Sequence, residues 1–527
     1  MRKISMGVCF NLFLISSLML QSCENKHSAP KHIALSMRED PRSLDPREVR
    51  LLADINLIKQ IYEGLVQENP QTKEIEPALA KSFTISEDKM TYTFHLRKAF
   101  WSNGDPITAY DFVDSWKQVV TQEVVGIYAF AFAPLKNITK IQKGSLPLDH
   151  IGFEALDKTT LKVSLEQPTS HFLRLLSLPI YFPTHASQRN SHHSQLPITS
   201  GAFFPKETKQ KQWLTLFKNP YYYKQDQVKT QTIKIHFVPD SNTASLLFNQ
   251  GKLNWLGPPW GDRIPLEAQA NLQTQGYLHV FDVAATSWLV FNTHKFPLNH
   301  QKLRQALAFA IDKDIIVSSL FIDAVKPAQH LIPHHIHSYP EETSLNTQQR
   351  KILAKKLFNE ALEELQISPR NFENLCLSFS AGASINPLLA QLIRHQWKET
   401  FGFTIPLSGK EFSLLQEDLA SKNFSFAIGG WYADFSDPMA FLSIFTSGIS
   451  PYTIDNQTFL NLVSTIQHEH DYLTRQSLVS QAAIYLESLH IVEPIYHDSY
   501  HFALNKKFSN LEFSSTGTID LRYTEES

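Results

Sequence analysis

Hydrophobic runs of two different periods are interleaved along almost the whole chain, and no internal repeat organises them. Thr91–Leu96 alternates, with Tyr92, Phe94 and Leu96 on one face; Leu161, Val163 and Leu165 do the same, as do Ile233, Ile235 and Phe237. A period of two belongs to half-buried strands. Elsewhere the period lengthens to that of a helix. Leu303, Ala306, Leu307, Ala310 and Ile311 share one helical face behind a cap at Asn299, and residues 349–366 form a second amphipathic stretch. Asn386-Pro387 opens a third helix, with Asn as N-cap and Pro at the first helical position. This mixture predicts an α/β or α+β chain of several lobes. At 527 residues there is enough chain for two or three domains, each with its own core. Ligands of lobed proteins commonly sit between the lobes.

The N-terminus predicts where such a chain works. Arg2 and Lys3 precede an uncharged run over residues 4–23, most apolar at 8–20, which is the layout of an export signal. Asn11, Ser16 and Ser17 interrupt it, so it falls short of the roughly 20 apolar residues of a spanning helix. It closes on Leu20-Gln-Ser-Cys23, similar to the bacterial lipobox, which implies cleavage after Ser22 and lipid on Cys23. Lipid chains hold a protein to a membrane surface without spanning it. Polar, breaker-rich residues 23–32 then read as a lipidated tether. Loss of residues 1–22 removes two basic and no acidic residues, which moves the net charge from −2 to −4. Of three cysteines, Cys9 leaves with the signal and Cys23 takes lipid. Only Cys376 remains, so no intramolecular disulfide forms and large cores must hold the fold.

Composition and missing motifs narrow the function. Lys plus Arg number 49 against 51 acids, a balance that gives no electrostatic reason for a nucleic-acid partner. There is no Walker glycine loop, no Gly-x-Ser-x-Gly elbow, no His-Glu-x-x-His helix and no Rossmann fingerprint. One mature cysteine excludes a Cys-based zinc site. The expectation is therefore a protein that is not an enzyme and carries neither cofactor nor metal. Three histidine groups (His192-His193; His334, His335 and His337; His468-Glu-His470) read as solvated loop or helix-end side chains, with a bound nickel complex as the alternative. The 36 Phe, 17 Tyr and 8 Trp mainly fill cores.

Four dispersed segments carry a more specific likeness. The first is Ser43-Leu-Asp-Pro with Ile61-Tyr-Glu-Gly-Leu-Val66. The second is Tyr92-Thr-Phe-His-Leu-Arg-Lys-Ala-Phe-Trp-Ser-Asn-Gly-Asp-Pro-Ile-Thr-Ala-Tyr-Asp-Phe-Val-Asp-Ser-Trp116. The third is Phe291-Asn-Thr with Leu303-Arg-Gln-Ala-Leu-Ala-Phe-Ala-Ile-Asp312, and the fourth is Gly429-Gly-Trp-Tyr-Ala-Asp-Phe-Ser-Asp-Pro438. In this order they resemble the peptide-binding family of bacterial ABC importers (oligopeptide- and dipeptide-binding proteins, solute-binding protein family 5), over residues 33–520. The resemblance implies the two-lobed periplasmic-binding-protein fold, type II, in its large three-domain form. Residues 33–62, 196–283 and 500–527 would form lobe I, 63–195 an extra domain packed on lobe I, and 284–499 lobe II. A hinge would close the lobes on a ligand. The second segment reads as scaffold: an Asn-Gly-Asp-Pro turn, then a helix over residues 109–120 capped by Thr108, with Phe112, Val113 and Trp116 inward.

The same resemblance assigns the site. Residues 424–428 read as a buried strand ending at Gly429-Gly430, with Trp431 and Asp434 on the loop beyond. Asp437-Pro438 supplies its own helix start. Asp434 matches the family's partner for the peptide α-ammonium. Gly429, Gly430 and the segment around Leu52 match positions that hold the peptide main chain as an added strand. Phe412, Trp431, Tyr128 and Tyr496 match aromatic cleft positions. The pattern fails at the other end of the ligand: family positions with basic groups fall here on Ile428, near Leu419 and on Asn386. The implied protein is a monomeric lipoprotein in the periplasm or on the outer face of the cell membrane. Its partners would be peptides, ABC permease subunits and, through those, separate ATPase subunits. A muropeptide or nickel-complex binder is the alternative, and an exported peptide hydrolase the remoter one.

Overall fold

A computed structural model describes residues 32–49, 51–121, 129–188, 196–321, 325–340, 345–383, 385–446 and 450–526. The three predicted alternating runs are strands Thr91–Leu96, Thr160–Ser164 and Thr232–Phe237, and their burial alternates as the sequence requires. They belong to two separate four-stranded sheets. Thr232–Phe237 pairs in parallel with His32–Met37 and antiparallel with Trp213–Lys218, which in turn pairs with Phe203–Lys209. Thr91–Leu96 lies between Ala80–Ile85 and Thr160–Ser164, with Phe153–Ala155 beyond. The first sheet draws on residues expected to build lobe I, except that His32, expected to end the tether, is its first strand residue and pairs with Thr232. The second draws only on those expected to build the extra domain.

The scaffold segment packs beside the second sheet, its helix against Phe153–Ala155. Gly104 takes a left-handed φ of 91° in the Asn-Gly-Asp-Pro turn, a conformation that favours glycine. Helix Ala109–Thr121 follows; the backbone N–H and hydroxyl of Thr108 both donate to Asp111, at 2.8 and 2.9 Å. Its inward face carries Trp116, whose indole N–H donates to the Tyr181 carbonyl at 2.7 Å and whose ring meets Phe112, Phe153 and Tyr181 edge-on. The signature builds core.

A third, seven-stranded sheet organises the rest. Its order is Trp255–Leu256, Val492–Leu504, Leu278–Phe291, Phe426–Tyr432, Leu377–Ser380 and Leu407–Lys410, with Lys326–Pro327 also on Val492–Leu504. Two of its strands are long: Leu278–Phe291 and Val492–Leu504 pair antiparallel, with the register shifting between Asp282 and Thr286. One end of that pair meets the first sheet's neighbourhood through Trp255–Leu256. The other is covered by helices Gln301–Phe309, Thr347–Leu365 and Asn386–Phe401. The expected boundaries at 283/284 and 499/500 therefore fall inside continuous strands.

Two local expectations are corrected. His300, not Asn299, holds the N-cap position of helix Gln301–Phe309, with no side-chain capping bond, and Asn346 opens Thr347–Leu365 through a capping box with Gln349. Asn386 is the first helical residue, with Ile385 in the N-cap position, because the turn donates the Asn386 N–H to the Ala383 carbonyl and sets the helix start one residue earlier. Residues 63–195 also contact residues expected in lobe II. Ser170 N–H donates to the Gln467 carbonyl at 2.9 Å, His171 stacks on Phe435, and Arg174 donates to Ser436 at 2.6 Å.

Candidate functional site

Strand Phe426–Tyr432 pairs along its length with Leu278–Phe291, from Phe426 opposite Phe291 to Tyr432 opposite Ala285. Gly429, Gly430 and Trp431 thus lie within the strand, not at or beyond its end. The glycines are there for close approach. A Cβ on Gly429 would stand 2.7 Å from the Tyr452 hydroxyl and 3.0 Å from Trp288 Nε1; one on Gly430 would stand 3.0 Å from the Thr286 carbonyl. Gly429→Ala is accordingly expected to cost about 1–3 kcal/mol, the scale for overpacking. Urea unfolding checks it, and an unchanged midpoint would refute the close approach.

The strand's other edge matters more. Leu377–Ser380 pairs only with Phe426 and Ala427. Over residues 428–432 no strand among the described residues pairs on that side. This stretch contains exposed Gly430 and half-buried Trp431, whose indole Nε1 is buried without an acceptor among the described residues. Ala433 N–H then donates to the Ala284 carbonyl at 2.7 Å, and half-buried Asp434 follows. The next helix, Met439–Leu442, starts one residue later than Asp437-Pro438 suggested, with Pro438 in the N-cap position; Asp437 accepts from Met439 N–H at 2.9 Å and pairs with half-buried Arg475 at 2.7 Å.

Leu52 opens helix Leu52–Ile61 and lines a cavity of about 310 Å³ whose far wall includes Tyr432. The structure therefore brings Leu52 to the end of the open-edged strand. A cluster built on buried Asp498, unseen in the sequence, joins the same place. Asp498, on Val492–Leu504, accepts hydrogen bonds from both the Arg263 guanidinium and the Tyr432 hydroxyl. Burial lowers the Arg263 pKa, but the Asp498 carboxylate and then Tyr432 and Tyr496 outweigh it and push it up. The three residues are far apart in sequence, and no short motif could have signalled them.

Other predicted positions lie elsewhere. Phe412 starts helix Phe412–Ala420 and is 61% exposed. Tyr496 is buried in the core against Phe321 at 5.0 Å, its hydroxyl pKa pushed up to about 12 by burial and then by Asp498. Asn386 is half-buried. None of the three lines the Leu52 cavity. Ile428 and Leu419 are core residues. Tyr128, Cys23, His192 and His193 lie outside the described residues. His334 and His335 line a second cavity, His337 bonds Ser480 at 2.8 Å, and His468 bonds Gln167 at 2.6 Å. Among the described residues no three His, Cys, Asp or Glu side chains are placed to hold a metal ion. No helix there is long and apolar enough to cross a membrane.

Residues 74–451 match the family model for bacterial extracellular solute-binding proteins, family 5. The chain belongs to this family. Its members are substrate-binding proteins of ABC transporters, not enzymes. Among relatives of this family-5 protein, the oligopeptide-binding protein OppA of Bacillus subtilis (strain 168) is 27% identical, covering 97% of each chain. The periplasmic murein peptide-binding protein MppA of Escherichia coli (strain K12) is 26% identical over 84% of each. In structure, the oligopeptide-binding protein OppAIV of Borrelia burgdorferi superposes with a TM-score of 0.81 at 24% identity, covering 94% of this chain and 100% of that one. The mixed helix-and-sheet fold is that of family 5.

Proposed function

We propose that this family-5 protein is the substrate-binding lipoprotein of an ABC importer and that it captures peptides. The open edge at residues 428–432, leading directly to Asp434, carries this reading. An extended peptide laid along that edge continues the seven-stranded sheet through main-chain hydrogen bonds, which are blind to side-chain identity. Its α-ammonium then reaches Asp434, where a charge-assisted hydrogen bond replaces lost hydration. Leu52 approaches from the opposite wall.

Residues 33–62, 196–283 and 500–527 would move as one lobe, with 63–195 attached, against 284–499. The paired strands Leu278–Phe291 and Val492–Leu504 are the link between them. Ligand favours the closed arrangement by the contacts it gains only there. Lipid on Cys23 holds the monomer beside its permease, in the periplasm or on the outer face of the cell membrane, and separate subunits hydrolyse ATP.

The clamp for the ligand's far end is apolar or neutral at each matched position: Ile428, Leu419 and Asn386. That observation favours a ligand whose carboxylate stays in water or is absent, a muropeptide being one such class. Native mass spectrometry of purified protein with its co-purified ligand, followed by calorimetry with free and C-terminally amidated peptides, tests both points. Peptide recovered intact, with similar affinity for amidated forms, is expected. Cleaved peptide would favour a hydrolase. A strong loss on amidation would restore a carboxylate clamp.

A further inference from the structure

We propose that the cavity above helix Leu52–Ile61 is a subsite for a cationic ligand side chain, an ammonium or guanidinium group held by Asp54. The inference rests on the peptide reading above and adds a preference that main-chain capture alone does not give. Asp54 lines the cavity yet is only 5% exposed, and it makes no hydrogen bond or ion pair among the described residues. It stands in the first turn of its helix without capping it: the Leu51 N-cap has no side-chain hydrogen bond. A buried carboxylate without a partner is costly, and folded proteins ordinarily satisfy such groups. Burial, with the charge of Glu39 second and Arg42 opposing, raises the Asp54 pKa to about 6.

The surrounding charges leave the cavity negative. Both arginines on its wall already have acidic partners: Arg38 pairs with Asp262 at 3.4 Å, and Arg263 with Asp498. Asp40 accepts the Lys211 backbone N–H at 2.8 and 2.9 Å. Among the described residues, Glu39 and Asp54 are left without a hydrogen bond or ion pair. Trp260, on the same wall, is 1% exposed and has its indole N–H buried without an acceptor among the described residues. One acceptor and one donor thus wait in one cavity. A lysine or arginine side chain entering from a peptide on the 428–432 edge meets the acceptor, and a peptide carbonyl meets the donor.

Calorimetry on the full-length protein tests this with tetra-alanine peptides carrying lysine at position 2, 3 or 4, each matched by its norleucine counterpart. At one position the protein is expected to bind lysine at least about tenfold more tightly than norleucine. Asp54→Asn should bring that ratio to within about twofold while leaving norleucine affinity and thermal midpoint undiminished. Equal affinities at every position, or a preference that survives Asp54→Asn, overturns the subsite and leaves the peptide reading standing. A lower midpoint with both peptides weakened alike marks a structural aspartate and also overturns it. Binding of none of these peptides removes the peptide reading and this subsite together.

Discussion

Replacing Asp434 with alanine is expected to lower peptide affinity at least a hundredfold. Removing one partner of a desolvated, hydrogen-bonded ion pair costs about 3–5 kcal/mol, because the other charge stays buried and unpaired. With about 1.4 kcal/mol per factor of ten, that is two to three or more decades in Kd. The loss should depend on the ligand's amine. An N-acetylated peptide has no ammonium to strand, so wild type and variant are expected to bind it with similar, weak affinity. Such a cycle isolates the amine–carboxylate coupling from any general loosening of the strand end. A free-amine peptide that binds the variant as tightly as wild type would sink the assignment. The unfolding midpoint of the variant, measured alongside, distinguishes lost recognition from lost fold.

Fold and site were not equally legible in the sequence. The alternation of Tyr92, Phe94 and Leu96 is a local pattern, and burial on one face follows from it directly. The packing of Trp116 was also legible, because the helix face that carries it repeats over residues 109–120. Strand ends were harder. Gly429-Gly430 read as a stop since glycine weakens isolated strands, but the strand continues to Tyr432 because Leu278–Phe291 pairs with it throughout. Pairing of residues more than a hundred positions apart leaves no local trace. The same holds for the cap of Gln301–Phe309, where Asn299 has the right chemistry and His300 the right place. For Asp434 and Leu52 the sequence offers only a family likeness as the ground for a ligand role. Asp54 has no such likeness: an aspartate in the first turn of a helix is ordinary from sequence, and only burial without a partner among the described residues sets it apart.

Asp498→Ala is the second large effect, and it falls on stability. Asp498 is buried and serves two donors from distant parts of the chain, Arg263 on the cavity wall and Tyr432 at the end of the open-edged strand. Alanine leaves both donors without their acceptor. The loss of one member of a buried pair sets a scale of about 3–5 kcal/mol. The Arg263 side chain is 31% exposed and regains some water, so the lower end, about 3 kcal/mol, is expected. Urea unfolding of the ligand-free protein reads this as a lower midpoint with an unchanged slope. Arg263→Met combined with Asp498→Leu should recover much of the loss, since an apolar pair of similar volume strands no charge. Ligand affinity should fall with Asp498→Ala as well, even for norleucine peptides, because Tyr432 and Arg263 together fix one wall of the Leu52 cavity. A midpoint within about 0.5 kcal/mol of wild type, the range of an ordinary surface substitution, would mean that the cluster does not hold that wall.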